Sequence, residues 1–495
     1  MSRNPNRSGG AVKVLLILLI LVLIAATGGM IWLCIDLVNS PAPQMQATQP
    51  QQQVLPTQAQ TLPPPTTVPP TTAPPEPEKV VATATIASQG DLLMHKPVFD
   101  SCRKSDGSYD FSSIFRYSKD LLTSYDYALA NLETTFGGDK YTYQGNPAFN
   151  CPDGLMDSVV DTGYDMLLTA NNHAGDTMGD GILRTIEQIR SKGLTALGSQ
   201  LNAEEDKYAI VDINGIKIGM VCYTWAYSGN GSTFSLNGLN PVKDEGQMNY
   251  FTNNNPDKLY NEVGPILEQM KAAGAEATMI FLHWGQEYQI TENAHQNTMA
   301  QKLCDMGFDV IVGGHPHVVQ PVELLESTVD PNHKTVCIYS LGNAVSNQRT
   351  GVSNLFPPGY TEDGALFTVT FEKYSDGKVY LAGADVVPTW VNMHSNNGGR
   401  EYNILPLVKE QEEQWTEQFA LTGNQFSAAQ KSYDRTMGIV GEGLEQCKTY
   451  LDQAKLDREA YYADLAANPE KYAAQSEPQP VTEPPATEAT LPAAA

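Results

Sequence analysis

Along the central part of the chain, short apolar runs of strand length alternate with longer stretches whose apolar residues recur at helical spacing. Val80 to Ala87 reads as a strand, Ser112 to Ser124 as a helix and Tyr127 to Leu132 as a strand. The pattern continues through a helix at Asp153 to Thr162, a strand at Asp165 to Thr169 and a helix at Gly181 to Lys192. Tyr208 to Ile213 and Lys217 to Tyr223 flank Asn214-Gly215, a dipeptide whose tolerance of positive φ predicts a tight hairpin. Leu259 to Ala273 and His295 to Met306 read as helices, with strands at Ala277 to Leu282 and Val310 to Val312. Thereafter strands dominate: Val318 to Leu325, Thr335 to Leu341, Ala365 to Tyr374 and Lys378 to Pro388. The early alternation predicts a mainly parallel sheet covered on both faces. The late strands predict a second, more antiparallel sheet packed beside it. From Leu407 to about Ala474 the chain is acidic and reads as helical, with Trp415, Phe419, Tyr433 and Tyr461 at loose helical spacing.

The two ends follow different rules. Val14 to Ile35 is an apolar run interrupted only by small residues, long enough to cross a hydrocarbon core. Arg3, Arg7 and Lys13 precede it and almost no positive charge follows, which predicts a cytoplasmic N-terminus and an extracytoplasmic bulk. A cleaved signal peptide is the rival reading, with small residues at Ala25-Ala26-Thr27, although Ile31, Trp32 and Leu33 extend the run beyond a usual signal core. Ser40 to Pro75 has no charged residue and is rich in Pro, Gln and Thr. It cannot bury a core and predicts a partly polyproline-like stalk, on the order of 100 Å if extended. The expected organisation is therefore a cytoplasmic segment (1–13), a transmembrane helix (14–35) and a linker (36–79). An α/β domain (80–393), a C-terminal helical extension (394–474) and a Pro-rich tail (475–495) follow. The formal net charge of −25, with no Lys/Arg cluster, excludes a nucleic-acid partner. Seven cysteines include no CxxC pair. Cys102 and Cys151 fall in loop-like stretches, and both a disulfide between them and a pair of buried free thiols remain open.

Of the eight histidines, five fall in or just after segments that end predicted strands. These segments are Gly90-Asp91 with His95, Asn131-Leu132-Glu133, Asn171-Asn172-His173 with Asp176, His283-Trp284, and Gly313-Gly314-His315-Pro316-His317. In open α/β sheets ligands bind at the carboxyl ends of strands, so loops distant in sequence can converge on one crevice. Asp91, Glu133, Asn172, His95, His173, His283, His315 and His317 make an oxygen and nitrogen ligand set without thiolate. Such a set suits manganese, iron or zinc and suffices for one or two divalent ions. Two ions about 3.5–4 Å apart need a bridging carboxylate and form the clamp that phosphoester hydrolysis requires. Asp176, close after His173, would orient an imidazole from behind or take part in proton transfer, making His173 and Asp176 the candidate catalytic pair.

The segments GDLLMH (90–95), ANLET (130–134), TANNHAGD (169–176), FLHWGQEY (281–288), GGHPHVVQ (313–320), YSLGNAV (339–345) and VVPTW (386–390) resemble the CapA family of capsule-synthesis proteins. That group includes the accessory component of bacterial poly-γ-glutamate synthesis. The resemblance implies a two-sheet α/β sandwich like that of the calcineurin-like metallophosphoesterases, with a dinuclear site. It casts Asp91 and His95 as first-motif ligands and Glu133 as the bridging carboxylate. Asn172 and His173 match the Asn-His motif, His283 the isolated histidine, and His315 with His317 the final His-x-His. The implied function is a membrane-anchored, extracytoplasmic protein of capsule or poly-γ-glutamate synthesis, acting as a metal-dependent phosphoesterase-type hydrolase. Its implied partners are an anionic capsule polymer or a phosphorylated extracytoplasmic substrate, and membrane-embedded synthase subunits. The alternative is a non-catalytic accessory or polymer-binding subunit of the synthase.

Overall fold

The computed structural model describes residues 77–473, apart from 239–240, 253–255 and 397–398. The expected membrane span at 14–35, nearly all of the linker and the tail from 475 lie outside the described residues. Among the described residues no helix is long and apolar enough to cross a membrane.

The strands in chain order are β1 (Val80–Leu92), β2 (Tyr127–Asn131), β3 (Met166–Leu168), β4 (Thr195–Leu197), β5 (Tyr208–Ile213) and β6 (Ile216–Ala226). Three short strands follow, β7 (Ser228–Gly229), β8 (Thr233–Ser235) and β9 (Val242–Lys243), which form a small sheet of their own. Next come β10 (Tyr250–Thr252), β11 (Ala277–His283), β12 (Val310–Gly314), β13 (Val319–Glu326) and β14 (Lys334–Leu341). The last are β15 (Asn343–Val345), β16 (Asp363–Tyr374), β17 (Val379–Asn396) and β18 (Gly399–Pro406). The first large sheet has the order β18-β17-β16-β1-β2-β3-β4, with β15 beside β1; the second has β10-β6-β11-β12-β14-β13, with β5 beside β6.

Each sheet is mixed, which corrects the expected division into an early parallel and a late antiparallel sheet. In the first, β1 to β4 run parallel while β16, β17 and β18 add antiparallel strands on the other side of β1. In the second, β6, β11, β12 and β14 run parallel and β5 and β13 pair antiparallel at the edges. Periodicity marks strands but carries no information about which strands pair, so the partition could not be read from pattern alone. The predicted hairpin forms between β5 and β6, with Asn214 and Gly215 both at positive φ.

Alternation of side chains explains the layering. In β11, Met279 and Phe281 join Met220 and Val312 in a core shared with Ile86, Leu129 and Leu167 of the first sheet. Ile280 and Leu282 point the other way, to Leu259, Val263, Met299 and Leu303 of the helices Asp257–Ala272 and Ala294–Met306. The second sheet is thus buried on both faces, which is why its strands read as continuous apolar runs.

The helical C-terminal region starts later than residue 394. The segment to Pro406 completes β17 and forms β18, and the main helix runs over Gly423–Ala467, opened by a Thr422–Gln425 capping box. This helix lies along both β17 and β13, so it packs against a strand of each large sheet. It is fixed by Arg435, which donates to both oxygens of Asp363 at 2.7 Å, and by Ser432, which donates to Oδ1 at 2.6 Å. Cys102 and Cys151 are both buried free thiols. The burial of both in the apolar core agrees with the second of the two alternatives.

The sheets meet at β1. Gly90 lies so close to Gly342 that a Cβ would stand 2.0 Å from the Gly342 carbonyl oxygen, and the next amide, of Asp91, donates to that oxygen at 3.0 Å. Gly90→Ala should therefore destabilise the domain by about 3 kcal/mol or more, through overpacking of backbone that cannot yield. Urea unfolding of the variant checks this, and a loss within experimental error would show that the junction can relax.

Candidate metal centre

The convergence begins with register. Asp91 follows Gly90 at the end of β1, Asn131 ends β2, and His283 of β11 lies opposite Gly314 of β12. The parallel strands of both sheets therefore deliver these side chains to one end of the sandwich. A further glycine keeps the approach tight. A Cβ on Gly313 would stand 1.9 Å from the Tyr339 carbonyl oxygen, and the same oxygen accepts the Trp284 indole N–H at 2.9 Å. Beyond β12 the chain turns sharply, with His315 at φ 96 and His317 at φ 57, values uncommon for residues with a Cβ. These two residues, on either side of Pro316, aim both imidazoles back at the strand ends.

The buried donors form two groups that share Glu133. Asp91, Glu133 and His317 make one, and Glu133, His283 and His315 the other; within each group the ligand atoms lie within 4.8 Å of one another. In the first, His317 Nδ1 is 3.0 Å from Asp91 Oδ2, and His317 Nε2 is 3.7 Å from Glu133 Oε1. In the second, His283 Nε2 has Asn172 Oδ1 at 2.7 Å, His315 Nδ1 at 3.2 Å and Glu133 Oε1 at 3.6 Å. Of the predicted ligands, Asp91, Glu133, Asn172, His283, His315 and His317 thus come together, and Glu133 stands between the groups. His173 and His95 lie nearby but belong to neither group. His173 Nδ1 is turned to Asp176 Oδ2 at 2.7 Å, and His95 Nδ1 accepts the Asn347 N–H at 3.3 Å.

The surroundings hold these groups in place. Asn131 Nδ2 donates to Asp91 Oδ1 at 2.8 Å, and Asn171 Nδ2 donates to Asn131 Oδ1 at 3.1 Å and to the Leu132 carbonyl at 2.8 Å. Asn171 Oδ1 in turn accepts the His173 N–H at 3.1 Å. Asn343 Nδ2 donates to the His317 carbonyl oxygen at 3.1 Å and fastens the strained turn. These asparagines were not among the predicted site residues. Their signal was present, because each is a polar residue in a quoted segment at the end of a buried strand. Trp225 and Tyr227, which line the cleft, gave no such signal, and Tyr288, also on the cleft, lay in one of those segments without being singled out.

Glu133 is fully buried, and among the described residues no donor hydrogen-bonds to either carboxylate oxygen. Burial raises its pKa well above the carboxylate range, and the Asp91 carboxylate adds to the effect. Burial pushes the His283 and His315 imidazoles well below their ordinary value, reinforced by neighbouring imidazoles. Neutral imidazoles are ready to ligate, while an unpartnered buried carboxylate between two donor groups calls for positive charge. The donor set fits divalent metal on the chemistry of its atoms.

The centre floors a cleft of about 940 Å³. His95, His173, His315 and His317 reach it, with Trp225 and Tyr288 on its walls. His173 is the cleft-facing member of a dyad: Asp176 Oδ2 also accepts the Phe149 N–H at 2.5 Å, so the carboxylate is held behind the ring. Burial raises the Asp176 pKa, partly offset by His173.

A buried histidine- and carboxylate-lined centre at the strand ends of a two-sheet α/β domain is the class these features define. The family model described as "Bacterial capsule synthesis protein PGA_cap" matches residues 85–348, and the chain belongs to that family. It is similar to the capsule biosynthesis protein CapA of Bacillus anthracis, 27% identical over 309 residues, covering 61% of this chain and 66% of that protein. It is also similar to the PGA biosynthesis protein CapA of Bacillus subtilis (strain 168), 27% identical over 305 residues, covering 60% of this chain and 70% of that protein. The chain therefore spans about two thirds of the length of each relative. Among solved structures, a Haemophilus influenzae NAD nucleotidase (NadN) aligns with TM-score 0.38 and 12% identity, over 75% of this chain and 68% of the other. The sulfate thiohydrolase SoxB of Thermus thermophilus aligns with TM-score 0.33 and 15% identity, over 70% and 61%. Likeness of that degree supports no conclusion about this chain.

Two outcomes follow for Glu133. Because its folded pKa lies above the unfolded value of 4.5, the folded state binds more protons than the unfolded one. The metal-free protein should therefore lose stability as pH rises above about 4.5. Glu133→Gln should remove that part of the decline and weaken divalent metal binding by more than about 100-fold, since outer partners of metal ligands alone are worth roughly 10–100-fold. Chelator-treated samples melted across pH, and metal titration of both proteins, check the pair. A variant that binds metal as tightly as wild type would refute the shared-ligand assignment.

Proposed function

We propose that this chain is a metal-dependent phosphoester hydrolase of capsule synthesis, held outside the membrane by the apolar segment 14–35. The observation that carries the reading is Glu133, buried without partners and shared by two donor groups at the floor of a cleft. Asp91, Glu133 and His317 would hold one divalent ion, and Glu133, His283, His315 and Asn172 a second. Ions bound there would supply Lewis acidity at phosphoryl oxygens and make water more acidic. Asp176 holds the Nδ1 side of His173, leaving Nε2 to face the leaving oxygen. In hydrolysis, water oxygen bonds to phosphorus as the bond to the leaving oxygen breaks. His173, when protonated at Nε2 as well as at Nδ1, gives that oxygen the Nε2 proton, which the one shed by water replaces. Family membership and the names of both relatives support the link to capsule synthesis. The apolar run and its flanking basic residues support the anchor and the extracytoplasmic location.

A second reading, a non-catalytic accessory or polymer-binding subunit beside synthase subunits, is favoured by the relatives being named as biosynthesis proteins. Turnover of an aryl phosphate and a phosphoester panel by the metal-loaded chain tests the first reading. His173→Ala should lower turnover by about 10²–10⁴-fold, the usual worth of a positioned acid, without loss of metal. Inactivity across the panel would defeat the hydrolase reading. Capsule production separates the two readings in cells: under the first, His173→Ala abolishes it as gene deletion does, and under the second the point variant keeps it.

A further inference from the structure

His95 was expected among the metal ligands, yet its surroundings give it a different task. It precedes the helix Lys96–Ser101, and its own N–H donates to the Leu93 carbonyl at 2.8 Å. Gly145 passes so close that a Cβ there would stand 3.0 Å from His95 Cα and 2.7 Å from the Lys96 nitrogen. The imidazole meets the Phe149 ring edge-on, with centroids 5.1 Å apart. Phe149 also meets the ring of His173, at 4.5 Å, so the two imidazoles flank one phenyl group, and all three residues line the cleft.

The hydrogen bonds set opposite tautomers on the two rings. His95 Nδ1 accepts the main-chain N–H of Asn347 at 3.3 Å, and an accepting nitrogen carries no proton. The proton of the neutral ring is therefore on Nε2. His173 Nδ1 has Asp176 Oδ2 at 2.7 Å and the Asn237 amide nitrogen at 3.4 Å; against the much nearer carboxylate, which can only accept when ionised, the proton of its neutral ring is on Nδ1. Neither of the shared-carboxylate groups includes His95.

We propose that His95 stands outside the metal centre as a neutral donor, its Nε2–H directed at an acceptor oxygen of an anionic substrate in the cleft. The identity of that oxygen, a non-bridging phosphoryl oxygen, rests on the phosphoester reading; the tautomer and the exclusion from the metal centre do not. A preoriented N–H at such an oxygen stabilises the charge it carries and costs no rearrangement when the substrate arrives.

The test uses the full chain, as wild type, His95→Ala and His95→Gln, with inorganic phosphate as the probe. Nitrogen NMR of histidine-labelled wild type should show His95 protonated at Nε2 alone, before and after metal loading. Both variants should hold the wild-type number of metal ions. His95→Ala should weaken phosphate binding about 10-fold or more, as expected for a hydrogen bond to a charged group, and His95→Gln, which keeps an N–H, should recover much of it. Loss of a metal equivalent in His95→Ala, or loss of the Nε2 proton on metal loading, would make His95 a ligand and overturn the proposal. Unchanged phosphate affinity in His95→Ala would overturn the donor role. Should metal-loaded wild type bind no phosphate, the phosphoester reading and the phosphoryl contact fall together, while metal count and tautomer still decide whether His95 is a ligand.

Discussion

The two sheets can share a junction only because side chains are absent where their backbones cross. Gly90 on β1 and Gly342 between β14 and β15 approach within the distance of a main-chain hydrogen bond, and Gly313 leaves room for the Trp284 indole to reach Tyr339. Close approach at those points brings the carboxyl ends of β1, β2, β11 and β12 to one place. Everything at the floor of the cleft depends on that geometry. A sandwich with the sheets at their usual separation of about 10 Å along the whole contact would hold the same histidines and carboxylates too far apart to share a cation.

From that junction follows an electrostatic problem with a chemical use. Glu133 is brought into the interior with no donor to satisfy it, beside Asp91, while burial pushes the pKa values of the neighbouring His283 and His315 well down. Without a cation the arrangement works against the fold, because carboxylate charge is buried without compensation. The asparagines do the quieter work of holding the ligands: Asn131 and Asn171 form a chain from Asp91 to His173, and Asn343 holds the His317 turn. Unpaired buried charge and strained backbone, each costly alone, occur here within one constellation, the usual mark of a site shaped for binding rather than for stability.

Much of this was legible along the chain, for a physical reason. A strand buried on both faces reads as an apolar run, so the polar residues that end it stand out; this exposed Asp91, Glu133, Asn172, His173, His283, His315 and His317. The Asn214-Gly215 hairpin was equally local, since the conformational freedom of two residues sets it. His95 sits in the right segment, but that its Nδ1 accepts the Asn347 amide depends on a loop about 250 residues further on. Trp225 and Tyr288 could not be separated from core aromatics, because only the shape of the cleft distinguishes them.

By itself, the order of residues determined most of the longer strands, most of the helices, and the chemical nature of the candidate centre, but not the short strands β4, β7 to β10 and β15, nor β18. The features it determined depend on side-chain periodicity and on donor atoms, both written locally. Tertiary structure alone decided that β16 to β18 extend the sheet of β1 rather than form another, and that residues up to Pro406 belong to it. It alone also made Glu133 the shared carboxylate and set the ring partners of His95 and His173, the Asn347 amide and the Asp176 carboxylate. Strand pairing and hydrogen-bond partners depend on contacts between distant segments, and the pattern within any one segment is compatible with several of them.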